Sequence, residues 1–156
     1  MPSPIVGSSE ASVEIIAFHL GAQQFCVETL AIREIRGWAP CTPLPHSPRE
    51  VLGVMNLRGS VIPIIDLAAR LDMPAAEPSE RSAIIVAEVS GKVVGLVVER
   101  VSDILRVKRN DIQPIPIVSA DFDASYAEGI IALPAGMVCF LNLPRLFSNS
   151  SVEMAA

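Results

Sequence analysis

The chain repeats two segments of its own sequence, and this repetition constrains its fold more than any other feature. Residues 15–36 align with residues 84–105, and residues 53–71 align with residues 129–147, in both cases without a gap. If the first pair is named A and the second pair B, the chain has the order A1–B1–A2–B2. A repeat of this kind predicts two similar small modules, each built from the same supersecondary units.

The A segments are typical of short β-strands. One copy contains "GAQQFCVETLAIREIR" and the other "SGKVVGLVVERVSDIL"; each predicts a strand, a tight turn, a second strand, a short helical turn and another extended piece. Hydrophobic residues make up 51% of the chain and aromatic residues 4%, so we expect an aliphatic core. Short strands joined by turns favour closed barrels, which leave no sheet edge unpaired. Whether A1 packs with B1 or with B2 stays open, because modules can exchange strands.

The B segments, "GVMNLRGSVIPIIDLAARL" and "GIIALPAGMVCFLNLPRLF", share several positions that matter for local structure. Gly53 matches Gly129, and Asp66 matches Asn142. Asp and Asn both favour the N-cap of a helix, where the side-chain oxygen accepts a hydrogen bond from an early backbone N–H. Each B segment is therefore predicted to end in a short helix that begins just after this residue.

The connector "APCTPLPHSPREVL" carries four prolines, so most of it cannot be helical. Its end has a different pattern, because Ser47 suits an N-cap, Pro48 the first helical position and Glu50 the third position of a capping box. This pattern predicts a helix of one to two turns that ends before Gly53.

Composition excludes several functional classes. The formal net charge is -5 and no basic stripe occurs, which argues against nucleic-acid binding. No apolar run approaches the ~18 residues of a membrane helix. The cysteines, Cys26, Cys41 and Cys139, are scattered without CxxC spacing, so neither a zinc site nor a disulfide framework is indicated. No enzyme motif is present, and we expect a protein of the reducing cytosol without a cofactor.

Three polar or aromatic positions stand out as candidates for recognition. Asn56 and Arg58 belong to "NLRG" in the first B segment, whereas the second copy has "ALPA" at the same place. If both copies make the same turn, the fold does not require Asn56 and Arg58, and we expect them to contact a partner; the alternative is an arginine paired with a nearby carboxylate. Trp38 is the only tryptophan. A role as a binding hot spot and a role in covering the end of a barrel are equally compatible with its position.

Three stretches together resemble the CheW family of chemotaxis coupling proteins: "FHLGAQQFCVETLAIREIRG", "GVMNLRGSVIPIIDL" and "VVGLVVERVSDIL". The resemblance runs from about residue 13 to residue 147. It implies a mainly β fold with two small five-stranded β-barrel modules related by internal duplication, short helices, and a third apolar core between the modules. The implied single CheW-like domain covers residues 13–147, with a mobile N-terminal tail over residues 1–12 and a C-terminal tail over residues 148–156.

The resemblance also implies a function. CheW-like proteins have no enzymatic activity, and they bridge the cytoplasmic tips of chemoreceptors to the regulatory domain of the histidine kinase CheA in membrane-associated arrays. The residues that match the receptor-facing groove of the family are Ile32, Glu34, Gly53 and Arg58, with Asn56 adjacent. The kinase contact is expected at an apolar barrel end. The alternative is a small-ligand sensor with its ligand in a barrel or in the groove between barrels.

Overall fold

The computed structural model describes residues 11–74, 78–116 and 125–147. Apart from residues 11 and 12, the two predicted tails lie outside the described residues, and the division into one domain with flanking tails stays a prediction. The strands are β1 Ser12–Leu20, β2 Gln23–Glu28, β3 Ile32–Gly37, β4 Val51–Leu57, β5 Ser60–Asp66, β6 Ala83–Val89, β7 Lys92–Val98, β8 Arg100–Lys108, β9 Ile112–Gln113, β10 Ala127–Leu133 and β11 Gly136–Leu141. The helices are α1 Leu67–Arg70 and α2 Leu143–Leu146, and 3₁₀ turns occupy Thr29–Ala31 and Arg109–Asp111.

The strands form two sheets, and each sheet takes strands from both halves of the chain. The order is β8-β1-β2-β11-β10-β9 in the six-stranded sheet and β3-β6-β7-β5-β4 in the five-stranded sheet. The hairpin of A1 therefore shares a sheet with the hairpin of B2, and the hairpin of A2 shares one with the hairpin of B1. The third strand of each A segment lies in the other sheet, so β3 and β8 are exchanged between the modules.

The two B segments have the same local structure. Two strands and a four-residue helix follow one another in each, and α1 and α2 begin at equivalent positions of the repeat. Both predicted N-caps are confirmed: Asp66 Oδ1 accepts from the Ala69 N–H at 3.3 Å, and Asn142 Oδ1 accepts from the Arg145 N–H at 2.9 Å. Local sequence therefore determines where these helices begin.

The hydrophobic residues divide into three clusters. One lies within the six-stranded sheet and includes Ile15 and Val138; another lies within the five-stranded sheet and includes Ile64 and Ile84. The third, here called the shared core, joins both sheets and both helices, with Ile16, Phe18, Ile65, Leu67, Ile85, Leu96 and Leu143 among its buried members. Neighbouring residues of a strand point to opposite faces, so Ile15 and Ile16 enter different cores and β1 is buried on both faces.

Two glycines at equivalent positions allow a second segment to cross close to a strand. A Cβ on Gly53, whose φ is 155°, would lie 2.2 Å from the Thr42 carbonyl oxygen, and a Cβ on Gly129 would lie 2.3 Å from the Gln113 carbonyl oxygen. Thr42 pairs with Val54 through two backbone hydrogen bonds of 2.8 and 2.9 Å. These contacts explain why both B segments carry glycine here.

The mainly β fold with two modules is confirmed, but the sheets differ from the expected barrels in one respect. Within the described residues, no ladder joins β3 to β4 or β8 to β9, so the sheets are open in their hydrogen bonding. The six-stranded sheet has the two-residue strand β9 beside β10, whereas the connector makes only the Thr42–Val54 bridge beside β4. The four prolines of the connector lack N–H donors, so this segment cannot continue the ladder.

The predicted helix before Gly53 is wrong. Residues 49 and 50 form a turn, and β4 begins at Val51. The Ser47 hydroxyl donates to the Leu44 carbonyl oxygen rather than capping a helix, and the Glu50 carbonyl accepts from the Asp66 N–H at 2.7 Å. The residues from Val51 onward pair with β5 as strand β4, so they are not available to a helix.

Candidate functional site

The structure brings Glu34 and Arg58 into direct contact. Arg58 Nη2 lies 2.5 Å from Glu34 Oε1, so a side chain on β3 meets one from the turn between β4 and β5. Arg36 approaches the same carboxylate from its own strand, with Nη1 3.4 Å from Glu34 Oε2. One carboxylate therefore lies between two guanidinium groups, and we name these three residues the charged rim. The Arg58 side chain is 71% exposed, so it contacts Glu34 while its other donors face solvent.

The charged rim changes the acidity of Glu34. The hydrogen bond from Arg58 is the main cause that lowers the pKa of Glu34 below its ordinary value, and the nearby charges of Arg58 and Arg36 act in the same direction. Desolvation opposes this shift but does not cancel it. Glu34 is therefore ionised at neutral pH, and the rim as a whole carries one positive charge.

The turn that carries Arg58 has a specific backbone conformation. Arg58 and Gly59 have φ angles of 53° and 89°, the positive values that a type I′ hairpin turn needs at both central positions. The Asn56 side-chain oxygen accepts from the Gly59 N–H at 3.0 Å and holds the turn. Asn56 therefore stabilises the turn that carries Arg58.

The second copy does not make the same turn, so that expectation is wrong. Within the described residues, the non-glycine residues with positive φ are His46, Arg58, Asp72 and Ser90. Residues 134 and 135, which form the equivalent turn of the second copy, are not among them. Proline at position 134 fixes φ near −65° and excludes the type I′ turn. The first copy needs its own turn residues, and the repeat alone does not show that Asn56 is free to contact a partner.

The remaining predicted site residues have different surroundings. Gly53 lies against Thr42, where a side chain does not fit, which gives it a structural role. Trp38 packs against the core of the five-stranded sheet, and its backbone N–H donates to the Ser82 carbonyl at 3.2 Å. Ile32 is partly buried against the shared core at the start of β3. The structure thus joins Glu34 and Arg58 directly, and Asn56 holds the turn that carries Arg58. Ile32 lies on β3, the strand of Glu34.

Sequence reasoning missed Arg36 and Ile35 as candidate site residues. Arg36 shares a face of β3 with Glu34, as the two-residue period of a strand predicts, and that period was the signal available in "EIRG". Ile35 is 42% exposed and Ile104, at the equivalent position of the other A segment, is 59% exposed. The two isoleucines therefore occupy equivalent places on β3 and β8, and both are exposed.

The described residues contain no cluster of His, Cys, Asp and Glu side chains that could hold a metal ion. Burial raises the pKa of the Cys26 thiol to about 12 and that of the Cys139 thiol to about 11, so both remain protonated at neutral pH. Among the helices of the described ranges, none has the length and hydropathy to cross a membrane. The site offers charged hydrogen bonds and apolar surface, the chemistry of protein recognition.

The fold and the charged rim together indicate a scaffold that works through protein contacts. A family model, the CheW-like domain, matches residues 14–151, and the chain belongs to the CheW family of non-enzymatic chemotaxis scaffold proteins. The resemblance inferred from the three sequence stretches is therefore confirmed.

Individual relatives agree with this assignment. The chain is 54% identical over 142 residues to the chemotaxis protein CheW of Rhizobium meliloti (strain 1021), covering 91% of this chain and 92% of that protein. It is 34% identical over 141 residues to the chemotaxis protein CheW of Klebsiella aerogenes, covering 90% and 85%. The crystal structure of the scaffolding protein TtCheW from Thermoanaerobacter tengcongensis superposes with a TM-score of 0.79 at 30% identity, covering 86% of this chain and 92% of that chain.

Proposed function

We propose that this protein is an adaptor that couples the cytoplasmic tips of chemoreceptors to the regulatory domain of the histidine kinase CheA. The observation that carries the proposal is the likeness to CheW proteins over about nine-tenths of the chain. In this role the protein acts in the cytoplasm and joins membrane-associated receptor arrays through its partners. It adds no chemical step of its own, so receptor state reaches the kinase only through contacts.

The architecture supports a bridging role. The shared core packs both sheets and both helices together, so the two modules cannot move independently without breaking buried apolar contacts. Two partner surfaces on different modules are then held at one fixed separation and angle. A rigid bridge of this kind loses little conformational entropy when it binds.

The charged rim supports a role in receptor binding. Arg58 is exposed, its backbone is held by a tight turn, and its planar guanidinium can make paired hydrogen bonds to a partner carboxylate or carbonyl. Arg36 Nη1 lies 3.4 Å from Glu34 Oε2. If Arg58 turns towards the receptor, Glu34 is therefore still paired with a positive charge. We assign the receptor contact to Ile32, Glu34 and Arg58, with Asn56 and Gly53 shaping the backbone that carries them.

The test is a ternary binding titration with purified receptor signalling fragment, CheA and the protein. Arg58→Ala should weaken assembly by about 2 kcal/mol or more, as expected for a hot-spot arginine, with the melting temperature little changed. Arg58→Lys should recover only part of the affinity, because an ammonium group cannot reproduce the planar fork.

Arg33→Ala is the matched control. Arg33 is also an exposed β3 arginine in an ion pair, but its carboxylate partner is Glu88 on β6, 2.6 Å away, rather than Glu34. Equal losses of affinity for Arg33→Ala and Arg58→Ala would contradict the assignment of the rim. Failure of the wild-type protein to join receptor and kinase would contradict the coupling function itself.

The packing of both sheets argues against a small-ligand sensor with its ligand inside a barrel. Buried side chains fill the interior of each sheet, including Ile15 and Val138 in one and Ile64 and Ile84 in the other. Small barrels are normally filled in this way and leave no room for a ligand.

A further inference from the structure

An open groove lies on the five-stranded sheet, between the proline-rich connector and the strands β5 and β7. Its volume is about 590 Å³, and its lining includes residues 44–48 of the connector, residues 60–63 of β5, and Lys92 and Val93 of β7. We name this feature the Val61 groove. It shares no lining residue with the charged rim.

The lining of the Val61 groove is apolar with a positive charge at one side. Val61 is 65% exposed and Leu44 is 42% exposed, so two large hydrophobic side chains of the groove lack a cover within the described residues. Lys92 contributes a cation, and none of the lining residues is Asp or Glu. This combination fits an occupant that carries apolar side chains next to a carboxylate.

The internal repeat explains why the groove is open at this place. In the six-stranded sheet, the parallel ladder between β2 and β11 includes the pair Val138–Gln24. Ile62 and Val93 occupy the equivalent positions of the repeat, but the ladder between β5 and β7 begins two residues further along each strand. Pro63 lies in this gap and has no N–H to donate. The groove therefore lies where ladder hydrogen bonds do not join the two strands.

The described chain ends close to one end of the groove. Arg70 Nη2 donates to the Leu146 carbonyl oxygen at 2.5 Å, and Arg70 Nη1 lies 3.9 Å from Glu50 Oε2. Glu50 directly precedes Val51, which lines the groove. One arginine side chain thus connects the end of α2 with the end of the connector, and residues 148–156 continue from this place.

The length of residues 148–156 is sufficient to follow the groove. Val51 pairs with Ile65, and about 14 Å of β5 separates Ile65 from Val61. Nine residues in an extended conformation span about 30 Å. The segment can therefore pass the end of the connector and reach Val61.

The sequence of this segment, SNSSVEMAA, matches the lining of the groove. Val152 and Met154 flank Glu153, and the segment contains no Lys or Arg. In an extended conformation, side chains two residues apart share one face, so Val152 and Met154 point together while Glu153 points away from them. The segment therefore offers an apolar face and one carboxylate at its edge.

From these observations we infer that residues 148–156 dock in the Val61 groove of their own chain. Val152 and Met154 cover the exposed side chains of the groove, and Glu153 pairs with the Lys92 ammonium group at its edge. The tether gives the segment an effective concentration on the order of 1 mM at the groove, so contacts that are weak between separate molecules suffice. The docked segment excludes other apolar partners from this face until it is displaced.

The test is made by NMR on the full chain, and it needs neither receptor nor kinase. In the wild-type chain, the backbone amides of Val152, Glu153 and Met154 should have heteronuclear NOE values close to those of the strands. Met154→Asp should lower these values and shift the amide resonances of Val61 and Lys92. Both signals should be independent of protein concentration, because the contact lies within one chain.

Matched variants locate the docking. Val61→Asp places a carboxylate beneath the apolar face and should reduce the ratio of docked to free segment about tenfold or more. Met137→Asp is the control, because Met137 holds the equivalent position of the other B segment and is 66% exposed. Neither variant should change the melting temperature much, since both side chains are exposed.

A charge exchange tests the ion pair. Lys92→Glu and Glu153→Lys should each weaken docking, and the double variant should recover part of the loss, because the exchanged charges attract each other again. Additive losses in the double variant would contradict the pairing of Glu153 with Lys92.

Three results would overturn the inference. The first is NOE values typical of a flexible chain for Val152, Glu153 and Met154 in the wild type. The second is an equal effect of Val61→Asp and Met137→Asp on these values. The third is a dependence of the signals on protein concentration, which would make the occupant the segment of a second copy.

Discussion

At the scale of single residues, Glu34 determines the charge arrangement of the site. It accepts from Arg58 on one oxygen and lies near Arg36 with the other. Both arginines are partly or largely exposed, so the ion pairs contribute little to the free energy of unfolding. Their main consequence is that the guanidinium groups are held where a partner can reach them.

The pKa of Glu34 provides a direct test of this arrangement. Arg58 lowers the pKa of Glu34 in the folded protein, so the stabilisation from the pair is fully present above the ordinary glutamate range. It is lost as the pH falls through the lowered pKa. Arg58→Ala should raise the pKa of Glu34, measured by NMR titration of its carboxyl carbon, whereas Arg33→Ala should not. An unchanged pKa in Arg58→Ala would show that the pair does not form in solution.

Asn56 is the second residue whose role can be separated by mutation. Asn56→Ala removes the acceptor for the Gly59 N–H and should reduce the free energy of unfolding by about 1 kcal/mol, measured by urea denaturation. Asn56→Asp keeps an oxygen acceptor and serves as the control. If Asn56→Ala is as stable as wild type but binds the receptor weakly, Asn56 contacts the partner instead of supporting the turn.

At the scale of secondary-structure elements, the two B segments have the same local structure. Each hairpin ends in a capped helix, and each has a glycine where a neighbouring segment crosses. The differences lie in what crosses: a two-residue strand beside β10, and a proline-rich connector with one bridge beside β4. The elements are therefore equivalent, while their connections are not.

Gly53→Ala tests the crossing beside β4. The new Cβ would lie within 2.2 Å of the Thr42 carbonyl oxygen at a φ that side chains rarely adopt, so we expect a loss of about 1–3 kcal/mol in the free energy of unfolding. Gly37→Ala is the control, since a Cβ there has no heavy atom within 4 Å. Equal stability of the two variants would show that the crossing segment moves aside easily, and Gly53 would then need another explanation.

At the scale of the whole molecule, exchange of the third strands joins the two halves of the chain. The five-stranded sheet takes β3, β4 and β5 from the first half and β6 and β7 from the second. The six-stranded sheet takes β1 and β2 from the first half and its other strands from the second. Neither half contains a complete sheet, and the shared core draws on both.

This topology predicts that neither half folds alone. Residues 1–82 and residues 83–156, expressed separately, should lack dispersed amide resonances and a cooperative thermal transition. Each half alone exposes apolar faces and strand edges that are paired in the full chain. Mixing the two halves should restore both signals. Cooperative unfolding of either isolated half would contradict the dependence on strand exchange.

The candidate site was only partly predictable from sequence. Glu34 and Arg58 were recognised on separate segments, but their contact depends on β3 crossing to the sheet that contains β4 and β5. The role of Asn56 depends on a turn type that the comparison of "NLRG" with "ALPA" misjudged, because proline at position 134 requires a different backbone. Trp38 fitted two interpretations equally, and only packing shows that it lies against a core.

The sequence by itself determined the features that depend on neighbours along the chain: the repeated hairpins, the helices that begin after Asp66 and Asn142, and the paired glycines. Hydrogen-bond caps, turns and alternation are short-range effects, so they can be read locally. The tertiary structure decided which hairpins share a sheet, and it replaced the expected helix before Gly53 with pairing between Glu50 and Asp66. Those outcomes depend on burial and hydrogen bonding between residues distant in sequence, which no local pattern specifies.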